Sequence, residues 1–223
     1  MDGLLLLSKP ISWTSHDLVD CVRRKTGIRA VGHAGTLDPM ATGLMLLLIG
    51  NATKRSNSLM GLEKTYRGSI RLGVVTDTWD LEGKIVEEKT VPDLDAAALR
   101  RSFAALTGEQ LLPTPIYSAV KIAGRKAYAL ARRGEAVEPE PRRMRIDRFD
   151  VESFESPEIY FSMDCSKGTY VRSVAYTLGS RLGCGAALSS LVRTRIDDFR
   201  LEDAMDQEAF LKATPDILQG RLK

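Results

Sequence analysis

Gly32-His-Ala-Gly-Thr-Leu-Asp-Pro-Met-Ala-Thr-Gly43 runs directly into Leu44-Met-Leu-Leu-Leu-Ile49, a glycine-punctuated acidic loop followed by an apolar run. Residues 44–49 have the length of a strand and no polar alternation, which predicts a strand buried on both faces. The loop before it holds one of the chain's two histidines, His33, and an aspartate, Asp38, fixed in front of Pro39. Proline biases the preceding residue toward extended backbone, and the glycines let a ligand approach closely. A carboxylate held at the mouth of a sheet is a candidate nucleophile or base. Read alone, Asp38 serves equally well as a turn former, and composition by itself favours that reading.

Working outward, residues 4–7 read as a short buried strand. Ser15 is placed to cap a helix whose apolar face is Leu18, Val19 and Val22, and Gly27 to end it. Residues 27–43 show no periodicity and read as loop, and residues 52–60 as a short helix. From Tyr66, alternate residues Gly68, Ile70, Leu72 and Val74 share a face, the pattern of a half-buried strand. A turn at residues 80–83 leads to a strand at 84–89. Helices are expected at 95–107, at 126–133 and at 170–182, with Gly108 and Gly134 ending the first two. Residues 142–154 and 158–165 read as paired strands. Strand runs with interspersed helices and no strict βαβ repeat predict an α/β (α+β) protein: a mixed, largely antiparallel central sheet flanked by helices.

The chain of 223 residues is 43% hydrophobic and 27% charged, the composition of a globular protein with a core of its own. No apolar run approaches the roughly 18 residues of a membrane helix, so no membrane partner is expected. Three cysteines without a CxxC pair, and no signal-like N-terminus, fit a reducing cytoplasm. The net charge is only +3, but residues 121–148 hold nine Lys or Arg against four Asp or Glu, while the rest of the chain holds 23 against 25. Such a basic stretch suits a polyphosphate backbone, because neutralising phosphates releases counterions; a solvated surface helix and edge strand would look the same.

The loop Gly-His-x-Gly-Thr-Leu-Asp-Pro-x-Ala-Thr-Gly resembles the catalytic motif of the tRNA pseudouridine-55 synthases of the TruB type. The resemblance continues, in order, through Lys9-Pro10, Lys64-Thr-Tyr-Arg67, Thr76-Asp-Thr-Trp-Asp-Leu-Glu-Gly83, Pro115-Ile-Tyr-Ser-Ala-Val-Lys121, Cys165-Ser-Lys-Gly-Thr-Tyr-Val-Arg172 and Leu182-Gly-Cys-Gly185, with Leu191 and Arg193 beyond. It implies the pseudouridine synthase fold in a single catalytic domain over residues 1–223. It also implies isomerisation of uridine 55 in the T-loop of tRNA, with the T-arm stem-loop as partner and the enzyme a monomer. Asp38 would attack the target nucleoside, Tyr66 stack on the flipped uracil, and Arg172 pair with Asp38. Tyr170 and Leu191 would line the pocket, His33 enter the RNA loop, and Lys9 support the base. The isomerisation gains no atoms and changes no oxidation state, so neither cofactor nor metal is required.

Two departures from the family pattern stand out. Ala34 replaces the usual Thr or Ser. Only about two dozen residues follow Phe199, fewer than an independent domain needs, so the C-terminal PUA-type RNA-binding domain of many relatives is expected to be absent or vestigial. RNA affinity then falls to a basic, mobile insertion near residues 124–150, with Lys121, Arg125, Lys126, Arg132 and Arg133 as its clamp. Two other readings predict different outcomes. An RNA-folding protein would not need the Asp38 carboxylate, and a metal-dependent phosphotransferase would use Asp77 and Asp80, although turn formation is the commoner role for such a pair.

Overall fold

The computed structural model describes residues 1–118, 120–122, 124–131, 133, 135 and 139–223. The chain forms two compact units, residues 1–67 with 191–223, and residues 68–190.

The first unit opens with β1 (Gly3–Lys9) and α1 (Ser15–Thr26), then β2 (Val31–His33), β3 (Ala41–Ile49), a 3-10 turn at Gly50–Arg55, α2 (Ser56–Met60) and the start of β4 (Lys64–Leu72). β1 and β3 pair antiparallel, Leu4 opposite Leu48 and Leu7 opposite Met45. Leu4 to Leu7 and Leu44 to Ile49 are almost entirely inaccessible, which is why both runs are continuously apolar. Burying each leucine contributes about 1.5–3 kcal/mol. One face packs Leu4, Leu6, Leu44, Leu46 and Leu48 with Ala34, Ala52, Leu59 and Ile196. Ala34 therefore stands at an apolar point of the core. The outer edge of β1 is partly covered by backbone bonds to Met205 and Lys223, which blunts it as a pairing edge.

Thr14, not Ser15, caps α1. Its hydroxyl accepts from the Asp17 N–H while the Asp17 carboxylate accepts from the Thr14 N–H. This reciprocal box needs an acid three residues after the cap, which Thr14 has and Ser15 lacks. Gly27 ends the helix in the left-handed conformation, as expected. β2 lies inside the stretch that reads as loop. Three residues with a central glycine carry no alternation, and antiparallel pairing with Ile49, Leu48 and Leu47 makes the strand.

The second unit begins in β4 and continues through β5 (Val74–Thr76), β6 (Ile85–Glu88), α3 (Ala96–Ala104), β7 (Gly108–Leu112), β8 (Lys121–Ile122), β9 (Arg125–Lys126), α4 (Ala127–Ala131), β10 (Arg142–Glu155), β11 (Glu158–Cys165), α5 (Val171–Leu182) and the start of β12 (Ala186–Ile196). β7, β10 and β11 pair antiparallel. Phe103 on α3 stacks on Phe149 at 4.0 Å, and Phe149 meets Phe161 edge-on at 5.5 Å. β13 (Phe199–Arg200), α6 (Gln207–Lys212) and α7 (Pro215–Gly220) complete the first unit. The central strands follow the order β1-β3-β12-β4-β11-β10-β7, mixed and largely antiparallel as the sequence predicts. Gly134, expected to end the helix seen as α4, lies outside the described residues. The three cysteines are buried as free thiols. Among the described residues no helix is long and apolar enough to cross a membrane.

Candidate active site

Asp38 stands at the first position of a tight turn, its carbonyl accepting from the Ala41 N–H at 3.0 Å. Pro39 at the second position has its φ pre-set for such a turn. The backbone of Asp38 thus makes the turn that its sequence suggests. The half-buried side chain is not used in the closing bond.

Side chains from far along the chain hold the backbone on both sides of this turn. Ser15 Oγ accepts from the Leu37 N–H at 2.8 Å and donates to the Leu37 carbonyl at 3.0 Å. The Lys9 ammonium, fully buried, donates to the carbonyls of Pro10, Trp13 and Pro39, and the Ser12 N–H also reaches Pro39 O. Arg193, 1% exposed, donates from Nη2 to Gly35 O at 3.1 Å, from Nη1 to Thr36 O at 3.4 Å and from Nε to Leu44 O at 2.8 Å. Every carbonyl from Gly35 to Pro39 is therefore engaged. Ser15→Ala strips two partners from Leu37 at once and leaves buried backbone groups unsatisfied. It is expected to cost about 2 kcal/mol, measured as a lower urea midpoint at unchanged slope.

Three further predicted site residues belong to the same unit. Leu191 on β12 pairs in parallel register with Ala41, where the turn closes. Tyr66 on β4 is 7% exposed, next to Thr65, which binds Thr194 and Arg195 on β12. His33 ends β2, with Ser56 Oγ donating to its carbonyl at 3.4 Å. Burial pushes the His33 pKa down, and the Arg193 charge and, less, His16 add to this, while a hydrogen bond with the Gly35 backbone opposes it. The folded state thus favours the neutral ring. Because the unfolded chain takes up this proton more readily, the stability His33 contributes is lost as pH falls below about 6.5.

Arg172 and Tyr170 belong to the second unit. Tyr170 caps α5 without a side-chain bond to the helix, and Arg172 follows in the first turn. The position suggests a surface arginine; the side chain is in fact buried. It donates to the carbonyls of Thr78 and Tyr117 and lies 3.6 Å from the Asp80 carboxylate. Asp80 also accepts from the Thr78 hydroxyl and the Glu82 N–H, and Asp77 from the Lys84 N–H. Both aspartates thus serve the 76–84 turn, and Asp80 adds a buried partner for Arg172.

Of the expected clamp, Arg132 lies outside the described residues, as do the side chains of Lys121 and Lys126. Arg125 pairs with Glu135 at 2.9 Å, and Arg133 is exposed. Further along β10, Arg148 is held by Asp164 and Asp150, whose hydrogen bonds raise its pKa. Arg142 and Arg143 are exposed.

Sequence reasoning missed the roles of Ser15, Arg193 and Asp80. Arg193 left one signal: it shares strand phase with Leu191, so alternation turns it inward.

Two solved structures share the fold. A Cbf5-Nop10-Gar1 complex matches over 99% of this chain and 59% of its own, with a TM-score of 0.76 and 23% identity. An H/ACA RNP bound to a substrate RNA containing 2'-deoxyuridine matches over 92% and 51%, with a TM-score of 0.69 and 22% identity. This chain therefore spans just over half the length of each. The family model described as TruB family pseudouridylate synthase (N terminal domain) matches residues 23–171, so the matched domain is of the pseudouridylate synthase class. A tRNA pseudouridine synthase B of Opitutus terrae is 48% identical over 96% of this chain and 89% of its own length. One of Endomicrobium trichonymphae is 41% identical over 92% and 89%. The chain belongs to the TruB family of pseudouridylate synthases.

Proposed function

We propose that the chain isomerises uridine 55 in the T-loop of tRNA to pseudouridine, with Asp38 as the attacking carboxylate. The observation that carries this reading is the clamped turn. A loop whose five successive carbonyls are engaged holds its aspartate still, and preorganised position is what a nucleophile aimed at one atom needs. The close relatives' names supply the substrate.

The enzyme has to break the N1 glycosidic bond, retain the uracil, turn it and rejoin it through C5. Base extrusion comes first, because the ring is out of reach inside a stacked loop, at a cost of a few kcal/mol. A neutral His33 suits the vacated position, since an uncharged ring stacks among bases without bringing a buried charge. Tyr66 offers the flipped uracil an aromatic face, worth roughly 1–3 kcal/mol. Asp38 then adds to the ring or captures the sugar, with the Arg172 guanidinium assigned as its partner. Both atoms and electrons balance within the substrate, so the reading calls for no cofactor. The basic residues of 121–148 supply the phosphate contacts, and the enzyme works as a monomer in the cytoplasm.

The test is incubation with an unmodified tRNA transcript and nucleotide-resolution mapping of pseudouridine. Product at position 55 alone is expected. Product at another uridine would overturn the assigned specificity, and none at all would overturn the reading.

A further inference from the structure

Arg193 is the largest fully inaccessible side chain described, and no described carboxylate faces it. A buried guanidinium without a counter-ion is costly, and nothing in the core requires one. Its donors go instead to three backbone carbonyls, those of Gly35 and Thr36 on one side of the acidic turn and that of Leu44 on the other, and to the Met45 sulfur at 3.0 Å from Nη2. The planar fork bridges the two ends of the loop that carries Asp38. Its own backbone closes the same joint, for the Arg193 carbonyl and N–H lie against Gly43.

We propose that Arg193 is the positioning residue of the acidic turn, fixing the Asp38 loop through the shape of its fork and not through its charge. The proposal rests on the assignment of Asp38 above. Lysine keeps the charge but is a single point donor on a flexible stem, and cannot span carbonyls on both sides of a loop. A misplacement of about 1 Å is enough to lower turnover about 10²-fold. The contacts say which step suffers: the fork is buried and reaches only loop carbonyls and the buried Met45 sulfur, so tRNA binding is untouched while the chemical step slows.

Arg193→Lys and Arg193→Met are compared with the parent by single-turnover pseudouridine formation, tRNA binding, amide exchange of residues 35–38, and NMR titration of His33. Both variants are expected to lose about 10²-fold in kcat, to bind tRNA within about twofold of the parent, and to exchange the 35–38 amides faster. The titration separates shape from charge. His33, held down by burial and by the Arg193 charge, keeps its depressed midpoint in Arg193→Lys and moves up in Arg193→Met, where the cation is gone. Full kcat in Arg193→Lys, or a loss confined to KM, would overturn the proposal. Should Arg193→Met fail to fold, Arg193→Lys alone decides. If the parent itself forms no pseudouridine, the assigned reaction is at fault, and amide exchange in the free protein still rules on the loop.

Discussion

Asp38→Asn is expected to bind unmodified tRNA as tightly as the parent and to lose pseudouridine formation by on the order of 10³-fold or more. The amide has the same shape, and the turn that carries it is closed by the backbone of Asp38, not by its carboxylate. The clamps on Gly35 to Pro39 come from Arg193, Ser15, Lys9 and Ser12 and do not involve the side chain either. Fold and RNA surface should therefore survive, and the loss should fall on kcat. What disappears is the anionic oxygen, for which an amide is no substitute as a nucleophile. The comparison is a single-turnover rate beside a binding isotherm on the same preparation. A variant that turns over at the parental rate would remove Asp38 from the chemistry. A variant that loses turnover while the tRNA-dependent function in cells persists would favour the RNA-folding reading.

Gly43→Ala should be the most destabilising methyl added to the first unit. At Gly43 φ is +100°, and a Cβ would lie 2.4 Å from the Arg193 carbonyl oxygen and 2.9 Å from its nitrogen. Both obstacles are backbone in a parallel pair, so no rotamer change relieves them. Strain in that conformation and overpacking each cost about 1–3 kcal/mol, together about 2–6 kcal/mol, or a fall of about 10 °C in Tm for a chain of this size. Gly220, whose Cβ would meet nothing within 4 Å, is the control, and its alanine variant should melt with the parent. A Gly43→Ala protein that melts within about 1 °C of the parent would mean that the β3–β12 approach is wider than described.

How far the sequence could be read depended on whether the deciding contacts were local. The apolar runs of β1 and β3, the alternation from Tyr66 and the pairing of β10 with β11 follow from period and length alone. So does the helix over Val171–Leu182. α6 and α7 carry ordinary capping signals in Asp206 and Thr214, yet six residues are too few for their periodicity to register. β2 is made by its neighbour, and no local pattern announces it. At the site, the motif around Asp38 pointed to the loop, but the residues that hold the loop still were invisible. Ser15 looked like a helix cap because its neighbour Thr14 does that work in the same residue class. Arg172 looked like a surface arginine because the carboxylate and carbonyls that receive it arrive from Thr78, Asp80 and Tyr117.

The span of the Arg193 fork sets an order of events during synthesis. Leu44, Thr36 and Gly35 precede it by 149, 157 and 158 positions, and contacts so distant in the chain are among the last a folding polypeptide can close. The Gly35 and Thr36 carbonyls leave the ribosome early but wait for their donor until the β12 segment emerges. A partly translated chain thus displays the whole acidic motif while lacking the brace that aims it, so premature fragments should form no pseudouridine even when their first strands have already paired.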